Sequence, residues 1–485
     1  GFPGSGEFEI LIGGRGSASI RIDAEQLDID RFVPAGFSAF TSNDKLGIAG
    51  FASYLAPGQD ARDVRIKVSA GELRFNGVRA FDVAFDVSSG ARGLNLQVIE
   101  IGEVGGARLE ASGVILDAGQ GLDGSIGLSI EAGNPVGLLR LFGLLPAGPD
   151  PHWAMALGAT SLDGEIKVRN AGGSPHASLS LRGKSGEFEV DGRATIDQTG
   201  GGNQMIATLD LSAPTSGGLI RLIGREPATA DTAPARANMT ITGDGGAGLQ
   251  TEIHIQAFGS RLDYSGKLAT DGWILSDGKV SVGSTDVSPM LAALAIPATT
   301  LGSRLTFDAS VESRGGALAF SSLSASLGDT KISGDLLASR DGEVKGALAA
   351  NRLDLAGILS ASLLDWSSSA GGMEASLAQA LPFGLSGKLD LKVGELVVDP
   401  SLVLVDAPVS LVSDISGIRF SMSGRDERQR DVKLSLLSGE GEAGRSLSGH
   451  IELPVDLSRQ LMTIDLRPVI TGMGRIVLDF EGEGR

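Results

Sequence analysis

The sequence predicts a mainly β chain, an elongated repeat-built antiparallel sheet with a few short helices at the ends of its repeat units. Three observations predict it: period-two alternation over almost the whole length, helical periodicity confined to short segments, and a recurring order of strand, glycine and helix.

The alternation is plainest where Phe81, Val83, Phe85 and Val87 interleave with Asp82, Ala84, Asp86 and Ser88, which assigns four apolar side chains to one face of a strand. Val64, Ile66 and Val68 alternate with Arg65 and Lys67 in the same way. Ile166 and Val168 alternate with Glu165, Lys167 and Arg169; Leu389, Leu391 and Val393 with Lys388, Asp390 and Lys392. Ile418, Phe420 and Met422 alternate with Arg419, Ser421 and Ser423. Each run is bounded by Gly, Asp, Asn or Ser, as strands of a meander are.

Helical signals are few. Gly137-Leu-Leu-Arg-Leu-Phe-Gly143 and Gly218-Leu-Ile-Arg-Leu-Ile-Gly224 are nearly the same segment, too short to stand without a sheet to pack on. A third helix is expected at Ser288-Pro289-Met-Leu-Ala-Ala-Leu294, with Ser288 as N-cap and Pro289 in the first turn, and a fourth at Leu355 to Leu364.

These helices keep a fixed distance from a second landmark. Strands closing on Gly113, Gly192, Gly266 and Gly334 are followed by helices at Leu138, Leu219, Met290 and Ile358, offsets of 25, 27, 24 and 24 residues. The landmark spacing itself drifts from 79 to 74 to 68, as loop-length variation between structural repeats produces. Four units follow, at about 94–146, 177–224, 248–297 and 316–364. They lie within an array at 94–384, between an N-terminal β segment at 1–93 and a C-terminal one at 385–485. A unit with one apolar face cannot bury it alone, so neighbouring units must extend one sheet.

Composition narrows the function. With 41 Lys and Arg against 59 Asp and Glu the net charge is −18, which disfavours a nucleic-acid partner held through phosphates. Glycine counts 71 of 485 residues without a strict three-residue period, and 42% of residues are hydrophobic, which excludes collagen and argues for a folded chain. There is no cysteine, hence no disulfide, thiolate nucleophile or cysteine-based zinc site. No apolar run is long enough to span a bilayer as a helix. The chain begins at Gly1 rather than Met and reads as a piece of a longer protein.

Catalytic and cofactor motifs resolve into turns. Gly119 to Gly124, Gly243 to Gly248 and Gly439 to Gly444 fit G-x-G-x-x-G, but about one or two matches arise by chance at this glycine content, and none opens a helix. They are expected to be hairpin loops, and Gly183-Lys184-Ser185 a turn. His152, His176, His254 and His450 are scattered without metal-ligand spacing, and His254 falls on a polar face between Ile253 and Ile255. No metal, cofactor or catalytic residue is expected. Arg140 and Arg221 occupy the same position of the matched helices; an aliphatic stem packed on the sheet is the simpler role, a lipid headgroup contact the other.

The layout of Gly71-Glu-Leu-Arg-Phe-Asn-Gly, Asp82-Val-Ala-Phe-Asp, Leu94-Asn-Leu-Gln-Val and Gly105-Gly-Ala-Arg-Leu-Glu-Ala-Ser-Gly113 resembles the AsmA-like family of bacterial envelope proteins. Thr330-Lys-Ile-Ser-Gly-Asp-Leu-Leu, Val344-Lys-Gly and Arg352-Leu-Asp-Leu-Ala-Gly-Ile-Leu359 extend the likeness, which spans most of residues 60 to 480. The resemblance implies a twisted sheet curled into an open groove and a periplasmic location with an N-terminal inner-membrane anchor, which this chain lacks. It also implies a role in moving phospholipid between inner and outer membranes as a bridge-like lipid transfer protein.

On that reading the groove is lined by Phe81, Val83, Phe85, Val87, Leu94, Leu96, Ile166, Val168, Leu179, Leu181, Leu389, Leu391, Val393, Ile418 and Phe420. The partners are phospholipid or another acyl lipid and the bacterial membranes. The competing readings are a closed β scaffold or adhesin-like stack with the same alternation, and a carboxylate-based polysaccharide enzyme.

Overall fold

The computed structural model describes residues 6–12, 18–28, 64–354 and 386–456 apart from connecting loops, and 473–483. Among them are 25 strands and four short helices, so the chain is mainly β. They fall into two compact units, residues 1–226, 232–255 and 267–274, and residues 227–231, 256–266 and 275–485.

The first unit runs through β1 (Gly6–Ile12), β2 (Ala18–Asp28), β3 (Val64–Phe75), β4 (Val78–Gly90), β5 (Gly93–Val104) and β6 (Ala107–Asp117). It continues through β7 (Leu122–Ala132), β8 (Thr160–Ala171), β9 (Ser174–Ser185), β10 (Phe188–Thr199), β11 (Gly202–Ala213) and β12 (Ala235–Asp244). Each strand pairs with the next in chain order, antiparallel except for β2 with β3. Among the described residues β1 pairs with β2 alone, so the ladder does not close on itself.

The second unit runs from β15 (Ile274–Ser284) through β16 (Leu305–Arg314), β17 (Ala317–Leu327), β18 (Thr330–Ala338) and β19 (Glu343–Asp354). Next come β20 (Ser386–Asp399), β21 (Leu402–Asp414), β22 (Gly417–Asp426), β23 (Asp431–Gly441), β24 (Gly444–Asp456) and β25 (Met473–Glu483). Among the described residues its one parallel pair is β19 with β20. Alternation cannot announce such a pair, because strand direction leaves the faces of a strand unchanged. The remaining strands, β13 (Gly248–Ala257) and β14 (Ser260–Ala269), are divided between the units.

The helices are α1 (Val136–Leu141), α2 (His152–Ala156), α3 (Gly217–Leu222) and α4 (Ser288–Ala293). In chain order α1 follows β7, α3 follows β11 and α4 follows β15, a period of four strands and a helix. The expected helix at 355–364 lies outside the described residues. Gly113, Gly192, Gly266 and Gly334 fall in β6, β10, β14 and β18, the third strand of each set, but inside those strands rather than at their ends. At three of them a side chain would collide. A Cβ on Gly113 would lie 2.1 Å from the Ser125 carbonyl oxygen, on Gly334 2.2 Å from that of Ala347, and on Gly266 2.3 Å from the Tyr264 hydroxyl.

Two of the helix starts are capped by Asx side chains. Asn134 Oδ1 accepts the Val136 N–H at 3.0 Å to open α1. For α4 the cap is Asp286 rather than Ser288: its Oδ1 accepts the Ser288 N–H at 3.0 Å, and the Ser288 bonds hold its carboxyl below the usual carboxylate range.

Candidate functional site

The feature that stands out is a face. Directly opposed residues of paired strands share a side of the sheet, so register shows which side chains form rows across the strands. One row of the first unit passes through Ile20, Ile66, Val87, Leu96, Gly113, Ile126, Ile166, Leu179, Ala194, Ala207 and Ile241, from β2 to β12. It contains no polar side chain. The next row, from Ile22 through Phe85, Leu128, Leu181 and Gly192 to Met239, contains none either, and nor does the third, from Ala24 through Val83, Leu109, Leu162 and Val190 to Ala237. Ten strand-to-strand steps at about 4.8 Å make each row about 48 Å long, measured along the sheet.

The face is covered on one edge and accessible in its middle. Beside the third row, Ala80, Val104, Ala107, Ala132, Thr160, Ser185 and Phe188 form an edge row in which every residue is buried. Helix α1 sits here: Leu138 packs with Ala107, Ile130 and Ala132, and Leu141 with Leu109 and Leu162 around them. Val136 joins Leu145 and Ala154 of α2. Thr160 and Ser185 share a buried hydroxyl hydrogen bond of 2.8 Å, which satisfies the polar atoms that the helices take from water. In the middle rows Ile166, Leu179, Leu181, Ala194, Ala207 and Leu209 are only half-buried.

The second unit repeats the arrangement. A row of Gly278, Val311, Phe320, Leu336, Gly346, Leu389, Leu411, Phe420, Leu436, Gly449 and Phe480 crosses β15 to β25 without a polar side chain. From Phe320 to Gly449 its residues are half-buried. Alongside, Val393, Leu396, Leu404, Ala407 and Val432 are fully buried in one core cluster.

The opposite face is a ladder of charges. Arg65 forks onto Asp86 at 2.9 and 2.7 Å, and that pairing holds the Asp86 carboxyl below its usual range; Arg65 also reaches Gln97. Arg108 spans Glu100 and Glu110; Arg182 and Arg193 meet on Asp191. His254 is exposed, as the alternation indicates, and His450 pairs with Asp479 of the neighbouring strand at 2.6 Å. Among the described residues no three His, Asp or Glu converge in a way that could hold a metal ion.

The lining candidates divide by position. Phe85, Val87, Ile166, Val168, Leu179, Leu181, Leu389, Leu391 and Phe420 are half-buried on the apolar faces. Val83, Leu94, Leu96 and Val393 are on those faces but buried within core clusters. The side chain of Ile418 lies outside the described residues. Phe81 does not share the face. Asp82 adopts the left-handed region (φ 50°), which advances the alternation by one residue, so Ala80 and Val83 both turn inward. Phe81 is left 37% exposed, opposite Glu72 on one side and Glu103 on the other. The same device occurs inside strands at Asp277, Ser322 and Asp406.

Arg140 and Arg221 are engaged in ion pairs, Arg140 with Asp150 at 2.6 Å and Arg221 with Glu187, to which its Nε donates at 3.0 Å. The glycine motifs at 119–124, 243–248 and 439–444 each connect consecutive strands. Gly183 to Ser185 ends β9 rather than forming a turn.

What sequence reading missed was the edge row. Its members Ala, Thr and Ser carry no strong apolar signal, and only the helix above them makes them buried. Comparison with family models, with curated proteins and with solved structures finds no match to this chain.

Proposed function

We propose that this chain is a non-enzymatic lipid-binding and transfer protein of the bacterial cell envelope, shielding phospholipid acyl chains on its way through the periplasm between inner and outer membrane. The observation that carries the reading is the set of consecutive all-apolar rows with a half-buried middle. An occupant of such a face meets no hydrogen-bonding side chain, while the sheet's backbone groups are taken up in the ladder. A peptide or sugar lying there would leave polar groups unpaired, each at a cost of about 1–3 kcal/mol. A hydrocarbon chain has none to pair and gains about 0.8 kcal/mol for each methylene buried. The lining is mostly aliphatic and repeats from strand to strand, which suits many weak equivalent sites and movement between them. The resemblance to the AsmA-like family supports the same reading.

A closed scaffold is the second reading, and the fully buried cluster around Val393, Leu396 and Leu404 favours it for that part of the second unit. Mass spectrometry of an organic extract of the purified protein decides between them. Co-purifying phospholipid, or uptake of a fluorescent phospholipid by delipidated protein, is expected. Lipid-free protein that also fails to take up the probe leaves the scaffold.

A further inference from the structure

β25 has one side in use. Among the described residues it pairs with β24 alone, through eleven consecutive residue pairs without a bulge. Ile476, Leu478 and Phe480 stand opposite Leu453, Ile451 and Gly449 of β24 and so continue the apolar rows of the second unit. On β24 those positions are half-buried; on β25 every side chain from Arg475 to Glu481 is exposed, Leu478 to 51% and Val477 to 46%. Sheets ordinarily protect such an edge with lysine, proline, a bulge or a charge turned onto the apolar side. β25 has none of these.

The strand is also complementary to itself. Two antiparallel copies related by a two-fold axis, with their apolar faces on one side, oppose only residues of the same face, so the axis passes through a residue. Leu478 is the middle of Met473–Glu483, and an axis there pairs the strand over its whole length. Leu478 then meets its own copy, Ile476 meets Phe480, and on the charged face Arg475 meets Glu481. Moving the axis to Val477 or Asp479 shortens the overlap to residues 473–481 or 475–483, and at Asp479 it sets two carboxylates opposite each other. Arg475 already donates to Glu452 through Nη1, but its side chain is 66% exposed and its guanidinium keeps further N–H donors for a second carboxylate.

We propose that two copies of this chain pair antiparallel along β25, about a two-fold axis at Leu478. The outward N–H and C=O groups of β25 are then taken up in a ladder. The row of Met422, Leu434, Ile451 and Leu478 runs on into Leu478 and Ile451 of the second copy. Head-to-tail pairing of β25 with β1 of another copy matches at most the seven residues of β1 and leaves an open chain of copies, whereas the two-fold pairing closes. The dimer is a property of the sheet edge and forms whether or not the face carries lipid.

Because the chain has no cysteine, single cysteines report the register. Opposed Cβ atoms of an antiparallel pair lie about 4.5–5.5 Å apart, close to the Cβ separation of a disulfide, so the residue on the axis is the one able to bridge to itself. Leu478→Cys is expected to give a covalent dimer on mild oxidation, with Val477→Cys and Asp479→Cys bridging several-fold less. Sedimentation of the unsubstituted chain should show a concentration-dependent monomer–dimer equilibrium, weakened by Leu478→Lys, which sets two ammonium groups opposite each other. Hydrogen exchange of the unsubstituted chain should slow along β25 as protein concentration rises, a readout that needs no variant to fold. A chain that stays monomeric, or a dimer without added protection at β25, overturns the proposal. Bridging at 478 no greater than at 477 and 479 overturns the register, and assemblies larger than a dimer overturn the two-fold closure.

Discussion

Asp82 shows how much one backbone angle decides. An L residue at positive φ is strained by about 1–2 kcal/mol unless it is glycine or a short polar residue able to bond locally. Asp82→Gly is therefore expected to be neutral or stabilising and Asp82→Val to cost about 1–2 kcal/mol, read as a shift of the denaturant midpoint. Burial separates other residues in the same way. Leu396 is fully buried, so Leu396→Ala is expected to cost about 2–5 kcal/mol through lost transfer energy and the cavity left behind. Leu179 is half-buried on the open face, and Leu179→Ala should cost about 1 kcal/mol, since part of its surface is already wet. Equal costs at the two positions would mean that the face around Leu179 is sealed.

The helices depend on how closely they are seated. A Cβ on Gly137 in α1 would lie 2.1 Å from the carbonyl oxygen of Gly105, in the β5–β6 turn, and neither backbone can yield. The equivalent atom on Gly218 in α3 meets the Glu187 carboxylate at 2.7 Å and the Phe188 ring at 3.1 Å, which are side chains. Gly137→Ala should therefore lift α1 and expose Ala107 and Ala132 to hydrogen exchange, with a smaller effect from Gly218→Ala. The hairpin from β22 to β23 is held differently. Asp426 Oδ1 accepts the backbone N–H groups of Arg428 and Arg430 at 2.9 and 2.8 Å, and its Oδ2 accepts Arg430 Nε at 2.6 Å. Burial opposes the ionisation of Asp426, but the Arg430 and Arg428 bonds outweigh it, and its carboxyl titrates below the ordinary range. A depressed carboxyl contributes stability above its unfolded pKa of about 3.9 and loses it as the pH falls through the folded value. Asp426→Asn should lower the unfolding midpoint at neutral pH, and the difference from the parent should shrink as acid protonates the parent's Asp426 in the folded as well as the unfolded chain.

Register is what turns alternating strands into a path. If lipid moves along the rows, a charge in one strand interrupts travel without emptying the sites on either side. Leu179→Asp is expected to reduce phospholipid transfer between vesicles by about tenfold, since a methylene segment of two or so groups at about 0.8 kcal/mol each must leave its apolar contact to pass. Bound lipid per protein should remain nearly unchanged. A parallel loss of loading and transfer would instead indicate one discrete site at β9.

Much of this was legible in the residues. Alternation at Val64 to Val68, Ile166 to Val168 and Leu389 to Val393 determined which side chains face together, because side-chain direction in a strand has period two whatever the strand pairs with. Short helices were legible too, from the matched segments at 137–143 and 218–224 and from Pro289, and a recurrence of strands and helix from the glycines at 113, 192, 266 and 334. Local sequence could not supply the rest. Whether Ala80 or Phe81 faces inward depends on a left-handed backbone at Asp82, which an aspartate tolerates but does not require; whether β19 and β20 run parallel depends on where the chain returns. Burial of Ala107, Thr160 and Ser185 beneath helices, beside half-buried Leu179 and Ala194, is a property of what lies above each residue. A strand's own sequence does not record that, since covered and uncovered apolar faces are written with the same residues.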